Sequence, residues 1–255
     1  MVKIIAIAVL MFFTGSFSYG APADTTIKDV KIVFTYTKNI FPREWQEGAI
    51  NGKGEEILPT EITRTKEIMI AALNKYPTEV FKADLNTVYF LKQLSFYDVG
   101  YGGTNSTANL YLTSNGITNG YTDKYVEQTF HHEFSSILLR KHMSLLDTFA
   151  WNACASKGFG YNDPLDGVGA IKNNEASQEI DTQLCKEGVL TQYAHSGMEN
   201  DVNTFAQNLF KPDERFWYAV EAFPLIRKKA KLLIDFYQKL NPMFTENYFR
   251  KFSTP

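Results

Sequence analysis

Residues 129–139 read Thr-Phe-His-His-Glu-Phe-Ser-Ser-Ile-Leu-Leu, placing His132 beside Glu133 and Ser136 four residues after His132. Two histidines at that spacing sit one helical turn apart and hold Zn²⁺, while a glutamate after the first acts as general base on the metal-bound water. Here the first histidine and the base are present, and serine stands where the second histidine would be. Catalytic zinc takes three protein ligands and a water, so any metal at this helix needs ligands from elsewhere. The chain has four histidines, His131, His132, His142 and His195. His131 reads as a helix-surface or capped histidine. His142 completes the spacing HExxHxxxxxH, but the chain would have to leave the helix where Leu139 stands. In an unbroken helix His142 lies about 15 Å along the axis from His132.

Residues 122–141 must form the helix that carries this pair. Asp123 is placed to cap it, and Tyr125, Phe130, Phe134, Ile137 and Leu138 give an apolar stripe at helical spacing. Alternating β-branched and aromatic residues predict a strand over 30–36, one or two over 87–99 and another over 109–113. Glycines and prolines mark 41–59 as a loop, Tyr101-Gly102-Gly103 as a turn, and 159–175 as a long surface loop. Asn105-Ser106-Thr107 is a formal glycosylation sequon that reads as a polar loop. Helices are predicted over 60–75, with a further short turn over 77–85, over 199–210, and over 215–240 with a break at Pro224. Residues 147–155 give no clear pattern. Met198 and the aromatic residues Phe205, Phe210, Phe216, Trp217, Tyr218 and Phe223 read as core.

The chain has 255 residues, 44% of them hydrophobic, and a formal net charge of −2. That supplies a sizeable core and argues against a general nucleic-acid binder, which would carry a basic patch. Met1-Val2-Lys3, the apolar run 4–13 and the small residues that follow read as a signal peptide over 1–20. Export to the periplasm or beyond is therefore expected, with the mature protein beginning near Ala21 or Asp24. The apolar run is too short to span a bilayer, and no second run is long enough. Export permits a disulfide between the two cysteines, Cys154 and Cys185, which would stabilise the fold by about 3–4 kcal/mol through loop closure. No phosphate loop, GxSxG elbow or calcium-loop periodicity is present; residues 163–166 (Asp-Pro-Leu-Asp) lack the ligand spacing of the last.

The Phe-His-His-Glu-Phe start and Ile-Leu end of 129–139 resemble the active helix of the candidate zinc-binding metallopeptidases of Bacteroidetes, exported proteins of the zincin type. Residues 199–207 (Glu-Asn-Asp-Val-Asn-Thr-Phe-Ala-Gln) are similar to the downstream helix that supplies a further ligand in such proteins. Tyr101-Gly102-Gly103 with 109–113 resembles the edge strand on which substrate lies. The resemblance implies an α+β, zincin-like fold: a small mixed sheet, the His-Glu helix and a mainly helical C-terminal lobe. No linker interrupts the chain, so one domain is read over 21–255, with an α/β lobe over about 24–142 and a helical lobe over about 143–255. The resemblance also implies Zn²⁺ held by His132 and a carboxylate, with Glu199, Asn200 and Asp201 as alternative registers. His195 would replace the missing histidine, or His195 or Tyr193 would stabilise the oxyanion. Glu133 would activate water for attack on a peptide bond. The alternative is a zincin-fold protein without catalysis, its cleft binding a peptide or a cell-envelope partner.

Overall fold

A computed structural model of the chain describes residues 24–162 and 167–253. The expected signal peptide and the 163–166 segment lie outside the described residues.

The fold is mixed α+β. Strand β1 (Thr25–Ile27) turns through Lys28 and Asp29, both at positive φ, into β2 (Val30–Val33). Next come β3 (Lys53–Glu56), α1 (Pro59–Leu73), α2 (Thr78–Asp84) and the long central strand β4 (Thr87–Phe96). Then β5 (Val99–Gly100), β6 (Gly103–Asn105) and β7 (Asn109–Thr113) complete the sheet. Its order is β1-β2-β4-β7-β6, with β2 and β7 parallel to β4 and β6 antiparallel to β7. β3 and β5 both pair antiparallel with the later part of β4. Side chains alternate as a pleated strand requires. Val88, Phe90, Leu110 and Leu112 face the main core, while Tyr89, Leu91 and Tyr111 face a second, aromatic cluster with Phe41, Trp45 and Phe96.

Helix α3 (Asp123–His142) runs against the main-core face of the sheet. Thr122, not Asp123, caps it, accepting from Tyr125 N at 3.2 Å, and Asp123 instead adds a favourable charge to the first turn. Arg140, Lys141 and His142 close the last turn, where cations suit the helix dipole. Short helices α4 (Thr148–Ala153), α5 (Val168–Lys172) and α6 (Thr182–Glu187) lead to α7 (Met198–Phe210). α7 packs along α3, and all its residues from Asn200 to Phe210 are buried. α8 (Phe216–Ala222) is followed by α9 (Pro224–Leu240), with Pro224 in the first turn of α9, and α10 (Glu246–Arg250) ends the helical part.

Four further expectations are corrected. β3 forms inside the segment read as a loop, because β4 offers it an antiparallel partner. Residues 103–105 are a strand where a turn ended in the sequence reading, and α5 interrupts the long surface loop. Cys154 and Cys185 are both free and buried rather than disulfide-bonded, and burial pushes both thiols up, Cys185 to about 11. No helix among the described residues is long and apolar enough to cross a membrane.

Candidate functional site

β6 reaches α3 because two glycines leave room for it. A Cβ on Gly102 would overlap the Tyr125 hydroxyl, and one on Gly103 would lie 2.6 Å from Thr129 Cγ2 and 3.1 Å from Glu133 Cγ. Asn105 points to the same side. Its Nδ2 donates to Glu133 Oε2 at 2.7 Å, and its Oδ1 accepts from Arg140 Nη2 at 2.6 Å. Arg140 also donates to the Ser106 carbonyl at 3.0 Å. Burial pushes Glu133 up to about 7; the Asn105 hydrogen bond and Arg140 oppose that shift, and the charge of Glu199 adds to it.

His132 sits one residue earlier on the same helix, its Nδ1 2.8 Å from Gln207 Oε1. A carbonyl oxygen only accepts, so Nδ1 carries the proton in this pairing. One turn on, Ser136 Oγ accepts from Asn203 Nδ2 at 2.6 Å. Asn203 and Gln207 are four residues apart on α7, as His132 and Ser136 are on α3. The two pairs therefore lace the helices together at successive turns. A cleft of about 270 Å³ opens in front of His132 and Gln207. Residues 100–103 form one wall, Tyr125, Thr129, His132 and Glu133 the floor, and Ile171, Gln178 and Tyr193 the opposite side.

The expected site residues divide between this cleft and other places. His132, Glu133 and Tyr193 meet in it, with the Tyr193 ring centroid 5.9 Å from that of His132. Glu199 does not line the cleft; its Oε1 lies 3.8 Å from Arg140 Nη1. Asn200 donates to Ser196 Oγ at 2.9 Å. Asp201 lies on another face of α7, fully buried, where Lys229 Nζ at 2.6 Å, Tyr161 OH at 2.8 Å and Trp151 Nε1 at 3.0 Å all meet its Oδ2. A buried carboxylate so paired is a structural group: removing one partner would strand a charge. His195 turns away, bonded through Nε2 to the Gly160 carbonyl at 2.9 Å and stacked on Phe159. It lines a separate depression with Asp181 and Arg215. α3 runs unbroken to His142, whose Nε2 is 2.9 Å from Asp84 Oδ2.

His131 is fully buried rather than on a helix surface. Its Nδ1 is 2.9 Å from Tyr76 OH, and its Nε2 is 3.6 Å from Glu127 Oε1. Burial lowers this imidazole to about 4, so it is neutral near pH 7. Against its own desolvation, the contact with His131 first, then Lys75 at 2.5 Å and Lys211 at 2.8 Å, hold Glu127 far below the ordinary carboxylate range.

These residues do not fit zinc. Among the described residues, no group of three or more His, Cys, Asp or Glu is placed to hold a metal ion. Ser136 is committed to Asn203, His195 and Asp201 are elsewhere, and the groups next to His132 on α7 are neutral amides. Asn105, Arg140, Asn203 and Gln207 were not singled out as site residues from the sequence. The signal for two of them was there: Asn200, Asn203, Thr204, Gln207 and Asn208 repeat polar groups every three or four residues in a helix otherwise rich in core residues. Such a stripe requires a polar partner.

No protein-family model matches the chain, and no curated protein matches it in sequence. A solved structure from Bacteroides caccae ATCC 43185, described as a candidate zinc-binding metallo-peptidase, is similar to 77% of this chain over 77% of its own, with 16% identity and a TM-score of 0.47.

Proposed function

We propose that this chain is a zincin-like protein whose cleft binds an extended peptide and does not hydrolyse it through zinc. The observation that carries the reading is the pairing of His132 with Gln207 and of Ser136 with Asn203. Neutral amides and a hydroxyl stand where a zinc helix and its partner would present imidazole and carboxylate ligands. Each group is satisfied by its neighbour, so the network stands without a metal.

Peptide binding is supported by the outer edge of β6, which among the described residues pairs with no further strand. Thr113 N donates to the Gly102 carbonyl and Ser106 N to the Asn109 carbonyl, both at 2.9 Å. In an antiparallel pair, hydrogen-bonded and non-bonded residues alternate. Gly102, Thr104 and Ser106 therefore turn their backbone groups toward β7, while Gly103 and Asn105 turn theirs toward the cleft. An extended segment adds to such an edge through main-chain hydrogen bonds. With residues 1–20 read as a signal peptide, the partner is a periplasmic, secreted or cell-envelope polypeptide.

The competing reading is an active zinc metallopeptidase, with His132 and Glu199 on the metal and Glu133 activating water. Titrating unstructured peptides into the protein with and without EDTA separates the two. Peptide binding that survives EDTA, with no cleavage product by mass spectrometry, is expected. Zinc-dependent cleavage lost in Glu133→Gln would overturn the proposal.

A further inference from the structure

Thr104 is the residue of β6 that faces away from α3. It pairs with Tyr111, a member of the aromatic cluster on the far side of the sheet, whereas Gly103 and Asn105 face Thr129 and Glu133. On that far side, directly beside Thr104, lies a notch of about 220 Å³ formed by Trp45, Ile50, Phe96, Tyr97, Tyr101 and Val168. Among the described residues, no charged side chain lines it, and Thr104 supplies the sole aliphatic hydroxyl. Its walls are held rigid by ring contacts: Trp45 and Tyr101 each meet Phe96 edge to face, at 5.4 and 5.6 Å between centroids. Tyr101 also lines the cleft in front of His132, so the two cavities adjoin across one strand.

We infer that this notch is a specificity subsite for one large apolar or aromatic side chain of a peptide added to β6. The inference rests on the peptide-binding reading above. Successive side chains of a strand point to opposite faces. A residue of the added strand opposite Thr104 therefore points over the notch, and its neighbours on either side point toward His132, Glu133 and Tyr193. The ligand recognised is an extended segment in which a phenylalanine- or leucine-like residue is flanked by residues that suit the polar cleft. Main-chain bonds to Gly103 and Asn105 would supply sequence-independent affinity, and the notch would supply the choice of sequence. A rigid aromatic pocket loses little entropy on filling, which makes the anchor residue selective.

The test uses blocked peptides Ac-Thr-Ala-Xaa-Ala-Thr-NH₂, with Xaa as Phe, Leu, Ala or Asp, titrated calorimetrically into the whole protein. Parallel titrations use Val168→Asp, Ile50→Ser and Asn105→Pro, each checked for its fold by circular dichroism. The Phe and Leu peptides are expected to bind about tenfold tighter than the Ala peptide, roughly the effect of burying one such side chain in part. Val168→Asp and Ile50→Ser should each bring the Phe peptide close to the Ala peptide. Asn105→Pro removes an outward N–H and should weaken all peptides alike. Equal binding of the Phe and Ala peptides, or a Phe preference that survives both notch variants, overturns the subsite and leaves peptide binding standing. Absence of binding by every peptide overturns the peptide-binding reading and the subsite with it.

Discussion

At the scale of single residues, the decisive contacts are amide to imidazole and amide to hydroxyl. Asn203→Ala leaves Ser136 buried without its donor and is expected to cost about 1–3 kcal/mol, read by urea denaturation. Replacing both partners, Ser136→Ala with Asn203→Leu, should recover much of that loss, because no polar group is then stranded. A double variant no more stable than Asn203→Ala would mean that the pair does not act as a unit. The residues legible in the sequence were those whose chemistry is carried by type and local spacing: His132, Glu133 and the substitution at Ser136. Tyr193, offered for the oxyanion only by its place before His195 and Glu199, does line the same cleft. Asn203 and Gln207 were not, since an amide declares its role only when the opposing helix is known. Asp201 and His195 misled because chain proximity to Glu199 says nothing about which face of α7, or which side of the preceding turn, a residue occupies.

At the scale of elements, β6 and α3 are positioned by the closest approach in the site. Gly102→Ala drives a Cβ into the Tyr125 hydroxyl, and overpacking of this kind costs about 1–3 kcal/mol. Tyr125→Phe removes that oxygen and should restore part of the stability in the double variant, which thermal denaturation can read. Additive losses would mean that the two do not touch. Helix α3 was readable almost to the residue, from 122–141 in sequence to Asp123–His142 in the structure, because its apolar stripe keeps helical spacing throughout, although Thr122 rather than Asp123 caps it. β6 was not readable. In Gly-Thr-Asn only Thr104 favours a strand, and pairing with β7 makes the segment one. The same holds for β3, whose Lys-Gly-Glu-Glu carries no apolar alternation.

At the scale of the whole molecule, the mixed sheet and the helical second half follow from the order of strand and helix patterns. What holds them together comes instead from buried polar groups distant in sequence. His131 has a proton affinity lowered from 6.5 to about 4 in the fold, so between those values the unfolded chain binds the extra proton. Stability should therefore be fully present above about pH 6.5 and fall as pH drops toward 4, by on the order of 3 kcal/mol. Glu127, lowered in the fold, adds a further loss as pH falls through the ordinary carboxylate range. His131→Gln should flatten the slope between pH 6.5 and 4 in urea titrations at stepped pH; an unchanged slope would assign the effect elsewhere. Both thiols are free and buried, so a thiol reagent should be nearly silent on the native protein and count both after unfolding, whereas a count of zero would reveal a disulfide. The most direct test of the central claim is the zinc content of the purified protein, measured beside His132→Ala and Glu199→Ala. The network of His132, Gln207, Ser136 and Asn203 predicts far less than one zinc per chain, with no difference among the three proteins. Near-stoichiometric zinc in the parent, lost in both variants, would contradict it.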